Sequence, residues 1–386
     1  HHADPRRGFG GARGGHRPLL RRADREHDEG GEGQGAVIGV SARAAPLSAL
    51  DASPELLQSG YWAAFKAAHG WQAHPFLVSA EGGEFPLLVL TRRIARLFRI
   101  AYVPFGPTRD PGADRGAFLA ALAHSLRPQL PRGTFLLRFD LPWPKAGDPP
   151  RAAGLRKARD DIQPASTVVV DLRPSEDEIL ASMKPKTRYN VRLAAKRGVT
   201  VEEGTGADMD RWYALYRQTS ARDRIAIHSR SYYEGLFSSA AERAAAGGTA
   251  PVVKLLLART GGEVLAGTIV IFWKKSAVYL TGASSGEQRN LMPTYALQWA
   301  AVRMAKAAGC EAYDLYGCPP AADESHPMFG LYQFKTGFSP AVTVRWGTWD
   351  APLDGPVHAA YAAAERLRMW WFRVARKRLA GRLAAG

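Results

Sequence analysis

Residues 252–281, VVKLLLARTGGEVLAGTIVIFWKKSAVYLT, decide the fold class. Apolar runs rich in β-branched and aromatic residues at 252–259, 264–273 and 277–281 are separated by Gly261-Gly262 and Lys274-Lys275-Ser276, which predicts an antiparallel meander. The pattern then predicts a helix over 295–308 and one more strand at 312–316. Ahead of the meander, a strand at 167–172 runs into a helix opened by Ser175, with Glu178 at the capping-box spacing. Helices at 187–197 and 209–219 and a loop at 220–231 complete this half.

The earlier part of the chain repeats the plan. Ser53 as a cap and Pro54 at the first helical position predict a helix carrying Leu56, Leu57, Trp62 and Phe65 as far as Gly70. Strands follow at 76–80, 84–91 and 98–103, the first two joined by Glu81-Gly82-Gly83. After a loop at 104–112 come a helix at 115–126, a strand at 134–140 and a Pro-rich break at 141–150. Two copies of one α+β unit in the same element order point to a duplicated fold. The first copy is expected over 37–165, with 340–352 returning to it, and the second over 166–339. A closing helix at 359–379, within a tail at 353–386, sets Arg366, Arg368, Arg373, Arg376, Lys377 and Arg378 against Glu365, around Met369, Trp370, Trp371 and Phe372. That reads as a basic amphipathic surface helix. Residues 1–36, with nine Gly and seven Arg and no hydrophobic period, read as a disordered leader.

Composition narrows the function. The chain has 386 residues, 46% of them hydrophobic, and 52 Lys+Arg against 36 Asp+Glu give a formal charge of +16. A wholly disordered protein is excluded, and no apolar stretch reaches the roughly 20 residues of a membrane span. Cys310 and Cys318 are too few for a disulfide framework or a four-ligand zinc site. A reducing, cytoplasmic setting is expected, with polyanionic partners: nucleic acid, nucleotide-linked precursors or an anionic membrane face.

Three motifs bear on chemistry. Gly282-Ala283-Ser284-Ser285-Gly286 matches the nucleophile elbow, with Asp314 and His326 in the right order, but residues 287–293 are polar and proline-broken where an elbow needs a helix. A turn after a strand is the reading. Where an acyl-coenzyme A enzyme would cradle pyrophosphate, Arg289-Asn290-Leu291-Met292-Pro293-Thr294 lacks the small residues, and Pro293 lacks an N–H. Six cations fall between Lys184 and Arg197, and a helix from about Thr187 would align Arg188, Arg192 and Lys196 as a ladder suited to phosphates.

Taken with Leu57-Gln58-Ser59-Gly60-Tyr61-Trp62, Tyr102-Val103-Pro104-Phe105-Gly106-Pro107, Leu291-Met292-Pro293-Thr294-Tyr295 and Phe334-Lys335-Thr336-Gly337-Phe338, that basic segment resembles the FemABX family over about 49–349. Those are aminoacyl-tRNA-dependent peptidyltransferases that build peptidoglycan cross-bridges. The resemblance implies two tandem acetyltransferase-like domains with mixed sheets. It implies that Lys66 contacts the precursor's nucleotide-sugar phosphates and that Asp110 lies at the substrate cleft, where it has been considered as a base. Ile227-His228-Ser229-Arg230-Ser231-Tyr232-Tyr233 stands where members carry a phosphate-binding arginine followed by tyrosines, and an ungapped alignment puts His228, not Arg230, on that arginine. Tyr232 and Tyr295 are further candidates for the cleft wall. The resemblance assigns Lys335 to the charge that develops when the ester is attacked. The residues agree, since a cation set between Phe334 and Phe338 is partly desolvated and its field is poorly screened.

The expected function is therefore transfer of an amino acid from aminoacyl-tRNA to an amine of the stem peptide, without metal or cofactor, by a monomer. Lys184, Lys186, Arg188, Arg192 and Lys196 would hold the tRNA. The precursor is UDP-linked or lipid-linked, and the closing helix offers peripheral contact at the inner membrane face. The alternatives are an N-acyltransferase with another acyl donor and a non-catalytic tRNA- or membrane-binding module.

Overall fold

The computed structural model describes residues 39–94, 97–223 and 225–370. The expected leader and the part of the closing helix beyond Trp370, including Trp371 and Phe372, lie outside the described residues.

The first half runs β1 (Ser41–Ala44), α1 (Gly60–Ala67), β2 (Gln72–Ala80), β3 (Gly83–Arg93), β4 (Arg99–Val103), α2 (Arg115–Leu126) and β5 (Thr134–Pro144). A two-residue strand, β6 (Arg156–Lys157), follows. The second half runs β7 (Ser166–Asp171), α3 (Glu176–Ser182), α4 (Pro185–Lys196), β8 (Thr200–Glu203), α5 (Met209–Asp223) and α6 (Arg230–Ala245). It continues with β9 (Val252–Thr260), β10 (Glu263–Trp273), β11 (Ser276–Ser284), α7 (Pro293–Ala307) and β12 (Ala312–Gly317). The chain then forms α8 (Phe329–Phe338), β13 (Val342–Pro352) and α9 (Gly355–Trp370).

The protein is α+β. Among the described residues the strands form one sheet in the order β1-β2-β3-β4-β5-β13-β7-β12-β11-β10-β9-β8. That order reads alike from either end. In each half an antiparallel meander, β2-β3-β4 or β9-β10-β11, is followed by a helix and a strand parallel to the last one, β4 with β5 and β11 with β12. β13 is the seam, pairing with β7 through Val342, Thr343 and Val344 and with β5 from Arg345 to Pro352.

Side-chain alternation sorts the core into layers. One cluster packs α2 on the first half through Phe118, Leu122 and Phe139. Another packs α4, α7 and α8 on the second half through Val191, Val302 and Phe338. The third, with Phe65 of α1, Trp212 of α5 and Leu236 of α6, lies between the halves and is shared by both.

Four local expectations are revised. The first helix begins after Ser59, whose hydroxyl accepts the Trp62 N–H at 3.1 Å, because Leu56, Leu57 and Gln58 first make a buried 3-10 turn. Ser53 instead closes a turn by accepting the Glu55 N–H. β5 continues through the proline-rich stretch to Pro144, since Leu141 and Trp143 are buried and β13 pairs alongside. α6 occupies a region in which no helix was expected. Its Ser- and Ala-rich sequence has little helical periodicity, and Tyr233, Leu236 and Ala240 are what it buries. No helix among the described residues is long and apolar enough to cross a membrane.

Candidate active site

A cavity of about 620 Å³ opens in the layer between the two halves. At one end, Lys66 on the last turn of α1 reaches among Trp62, Trp71 and Tyr232, its Nζ 5.7 Å from each ring centroid. Burial and the nearby Arg92 hold its ammonium below the usual lysine range. His228 stacks on Tyr232 with centroids 3.9 Å apart, and its backbone N–H donates to the Tyr233 hydroxyl at 3.2 Å. Burial, then the charge of Lys66, lowers the imidazole's proton affinity. Ring faces hold this half-buried cation in place, and its open edge could donate a charge-assisted hydrogen bond to an anion.

At the other end the walls come from β12, β13 and the turn before α1. Arg345 of β13 donates to Asp314 of β12 at 2.9 Å and lies over the Phe105 ring at 4.8 Å. Asp314 also accepts the Thr167 hydroxyl and the Tyr316 N–H, the latter at 2.7 Å. Tyr316 donates its hydroxyl to Gln163, and Gln163 donates to the Tyr102 hydroxyl at 3.2 Å. Behind them Asp140 collects Tyr102, Gln163 and Thr348 as donors. Glu55 enters the cavity from the turn that precedes α1.

Lys335 lies on the opposite face of β12. Alternation along this strand sends Asp314 and Tyr316 into the cavity and Tyr313 and Leu315 into the cluster that holds Phe334 and Phe338 of α8. Lys335 is 4% exposed, and its Nζ donates to the carbonyls of Gly317 at 2.7 Å and Tyr316 at 3.4 Å, which leaves a third N–H. The ammonium sits 5.2 Å from the Tyr279 ring centroid. Burial lowers its pKa to about 8, with Cys318 and Asp314 opposing.

Between the two faces the strand pairing ends. β11 pairs with β12 only through Ser276, Ala277 and Val278, yet β11 runs on to Ser284 and β12 to Gly317. Beyond Val278 and Asp314 the strands part. Leu280 and Tyr316 face the cavity at this parting, and Tyr279 lies on the other face with Lys335. Gly282 permits the arrangement, because the Tyr279 hydroxyl occupies the space a Cβ would need.

The remaining candidates separate. Asp110 is not part of the cavity wall. It makes a two-pronged pair with Arg115 at 2.8 and 2.9 Å and accepts the Gly112 N–H, so its carboxylate is committed to capping the loop before α2. Arg230 also lies outside the wall, paired with Asp210 at 3.1 Å and Glu234 at 2.8 Å, while His228 lines it. Tyr295 packs on Phe334 and Phe338, on the Lys335 side of the sheet.

The basic ladder is partly dismantled. Arg188 turns back to donate to the carbonyls of Ala181 and Met183, and Lys184 donates to Thr336 at 3.0 Å. Lys186, Arg192 and Lys196 stay exposed. The Lys184–Thr336 contact, with the Lys184 N–H to Gly337 carbonyl bond of 2.9 Å, fastens this helix beside Lys335. Ser284 ends a strand, with its carbonyl taken by Thr219 and Arg222, so it forms no nucleophile elbow.

A sequence profile of the FemAB family matches residues 152–245 and 253–366. This chain belongs to the FemAB family. The lipid II:glycine glycyltransferase of Staphylococcus haemolyticus (strain JCSC1435) is 23% identical over 376 residues, covering 79% of this chain and 89% of that protein. The enzyme of the same name from Staphylococcus aureus (strain COL) is 23% identical over 379 residues with the same coverage. The crystal structure of FemX superposes with a TM-score of 0.71 at 20% identity, over 83% of this chain and all of that one, which shows a shared fold.

In this FemAB protein the matched segments hold α4, α6, β9–β13 and α8, and so both faces of β12. Sequence reasoning missed Glu55, Asp314 and Arg345 as parts of one wall. Asp314 and Arg345 are 31 residues apart, and only the seam strand brings them together.

Proposed function

We propose that this FemAB-family protein transfers an amino acid from an aminoacyl-tRNA to an amine on the stem peptide of a peptidoglycan precursor, as a cross-bridge aminoacyltransferase. The curated relatives are named for glycyl transfer involving lipid II, and the two faces of β12 supply what such a transfer needs. The precursor occupies the cavity, its phosphates at Lys66 and His228 and its peptide directed toward Tyr316. The charged 3′ end of the tRNA enters from the other face, where Lys186, Arg192 and Lys196 meet the phosphate backbone.

The observation that carries this reading is the Lys335 ammonium, buried beside the parting of β11 and β12 with no carboxylate at ion-pair distance among the described residues. A tRNA ester is already activated, so the remaining demands are positioning and a fixed positive donor for the oxyanion or the departing ribose oxygen. Lys335 has one N–H to give, and low exposure keeps its field strong. A lipid-linked precursor would bring the protein to the cytoplasmic membrane face, with the basic tail after α9 as the contact. An acyl-coenzyme A donor is not favoured, because α7 opens with Met292 in a left-handed conformation and Pro293 lacking an N–H where a pyrophosphate would need donors.

The test is incubation of the protein with a charged tRNA pool and with UDP-linked and lipid-linked precursors, followed by mass spectrometry. The expected product is a precursor heavier by one aminoacyl residue. Unchanged precursor in both arms would contradict the reading.

A further inference from the structure

Two acids line the cavity, and they differ in what surrounds them. Asp314 is saturated by Arg345, Thr167 and the Tyr316 N–H. Glu55 has no counterion at bonding distance among the described residues, and its hydrogen bonds come from the backbone N–H groups of Leu57, at 3.2 Å, and Leu56. Its backbone is fixed. The Ser53 hydroxyl accepts the Glu55 N–H at 3.2 Å, and the Ser53 carbonyl is held by the Trp273 indole N–H at 3.1 Å. A rigid turn thus presents a carboxylate with open lone pairs to the cavity, on the side of β12 where an incoming amine would lie.

We infer that Glu55 is the general base that takes the proton of the acceptor amine, working from the cavity face of β12 while Lys335 acts from the other. This rests on the transferase reading above. Charged and titratable groups facing Glu55 are Asp314 and Tyr316 of β12 and Arg345 of β13. Burial raises its carboxyl from 4.5 to about 7, against the Leu57 N–H and Arg345 and with the help of Asp314. It is therefore ionised above neutrality and is a stronger base than an ordinary carboxylate.

The step balances without a co-reactant. The acceptor ammonium gives one proton to the Glu55 carboxylate. Its nitrogen lone pair then forms the bond to the ester carbonyl carbon, and the oxyanion is held by Lys335. As the C–O ester bond breaks, the second amine proton ends on the ribose oxygen. Glu55 releases its proton to solvent, so the net products are the amide, the free tRNA hydroxyl and one proton.

Single-turnover transfer from charged tRNA to the UDP-linked precursor, measured from roughly pH 5.5 to 9 with parallel calorimetry of precursor binding, tests the assignment. The wild type should gain rate through a limb near pH 7. Glu55→Gln should lose about 100-fold or more in rate, lose that limb, and keep precursor affinity within about threefold. Glu55→Asp, which retains a carboxylate and covers the case in which the Gln variant fails to fold, should keep a limb at reduced rate. A Gln variant within about threefold of the wild-type rate, or one that keeps the limb, overturns the assignment, as does an Asp variant without a limb. Absence of transfer by the wild type would instead bring down the transferase reading, and the base assignment with it.

Discussion

The Lys335 ammonium donates to the Gly317 carbonyl across 2.7 Å, at the bulge in the pairing of β12 with β7, beyond the last residue that β12 pairs with β11. The neighbouring residue, Tyr316, stands at a φ of 60° and projects its ring into the cavity on the other side. The Lys335 cation of α8 and the cavity thus lie back to back across one strand. Any displacement of this bulge moves both.

On the proposed reading Lys66 holds the precursor's phosphates, so Lys66→Ala should weaken binding of a UDP-linked precursor by about 10- to 100-fold, the worth of a lost charge-assisted contact. Because burial has lowered its pKa, wild-type affinity should also decline on the alkaline side before an ordinary lysine would titrate. Calorimetry across pH reads both effects.

Lys186, Arg192 and Lys196 are exposed, whereas Arg188 is occupied by backbone carbonyls. Replacing the first three by Ala should flatten the salt dependence of tRNA binding by about two units of log–log slope. Arg188→Ala should leave that slope alone and lower the melting temperature. Filter binding over a salt series, with thermal melts, separates the two.

Gly282→Ala would place a methyl where the Tyr279 hydroxyl lies. The ring must move, and it is the ring beneath Lys335. Turnover should fall by about tenfold or more while precursor affinity holds, the pattern of an interaction lost in the transition state. A second substitution, Tyr279→Phe, removes the hydroxyl contact but leaves the ring Cζ at 2.7 Å, so it should restore only a small part of the rate.

Glu55 binds its proton more tightly folded than unfolded, so the folded state loses stability as pH rises from 4.5 through about 7. Above that window the half-buried carboxylate is a cost. Glu55→Gln should therefore raise stability at pH 8, by about 3 kcal/mol, and be nearly neutral at about pH 4. Denaturant melts at the two pH values give the difference.

Much of this arrangement was readable from the chain. The meander, the Ser175 capping box and the helix at 115–126 are local signals, and each is present. Lys335 between phenylalanines announced its own desolvation. Other parts depend on contacts that no short window contains. Pro54-Glu55-Leu56 reads as the exposed first turn of a helix, and only the shift of the cap to Ser59 turns Glu55 into the cavity. Asp110 resembled a cleft acid until Arg115, five residues on, claimed it. Arg188 turns one guanidinium nitrogen out of the expected ladder, toward the carbonyls at the end of α3 that helix geometry leaves unsatisfied. Helical periodicity assigns a face but not what a long side chain will find there.

The most direct measurement is transfer by Lys335→Ala set beside its binding of precursor and of charged tRNA. The expected result is a rate reduced by about 100- to 1,000-fold with both affinities within about threefold of wild type. A variant that transfers at close to the wild-type rate, with both substrates bound, would contradict the account.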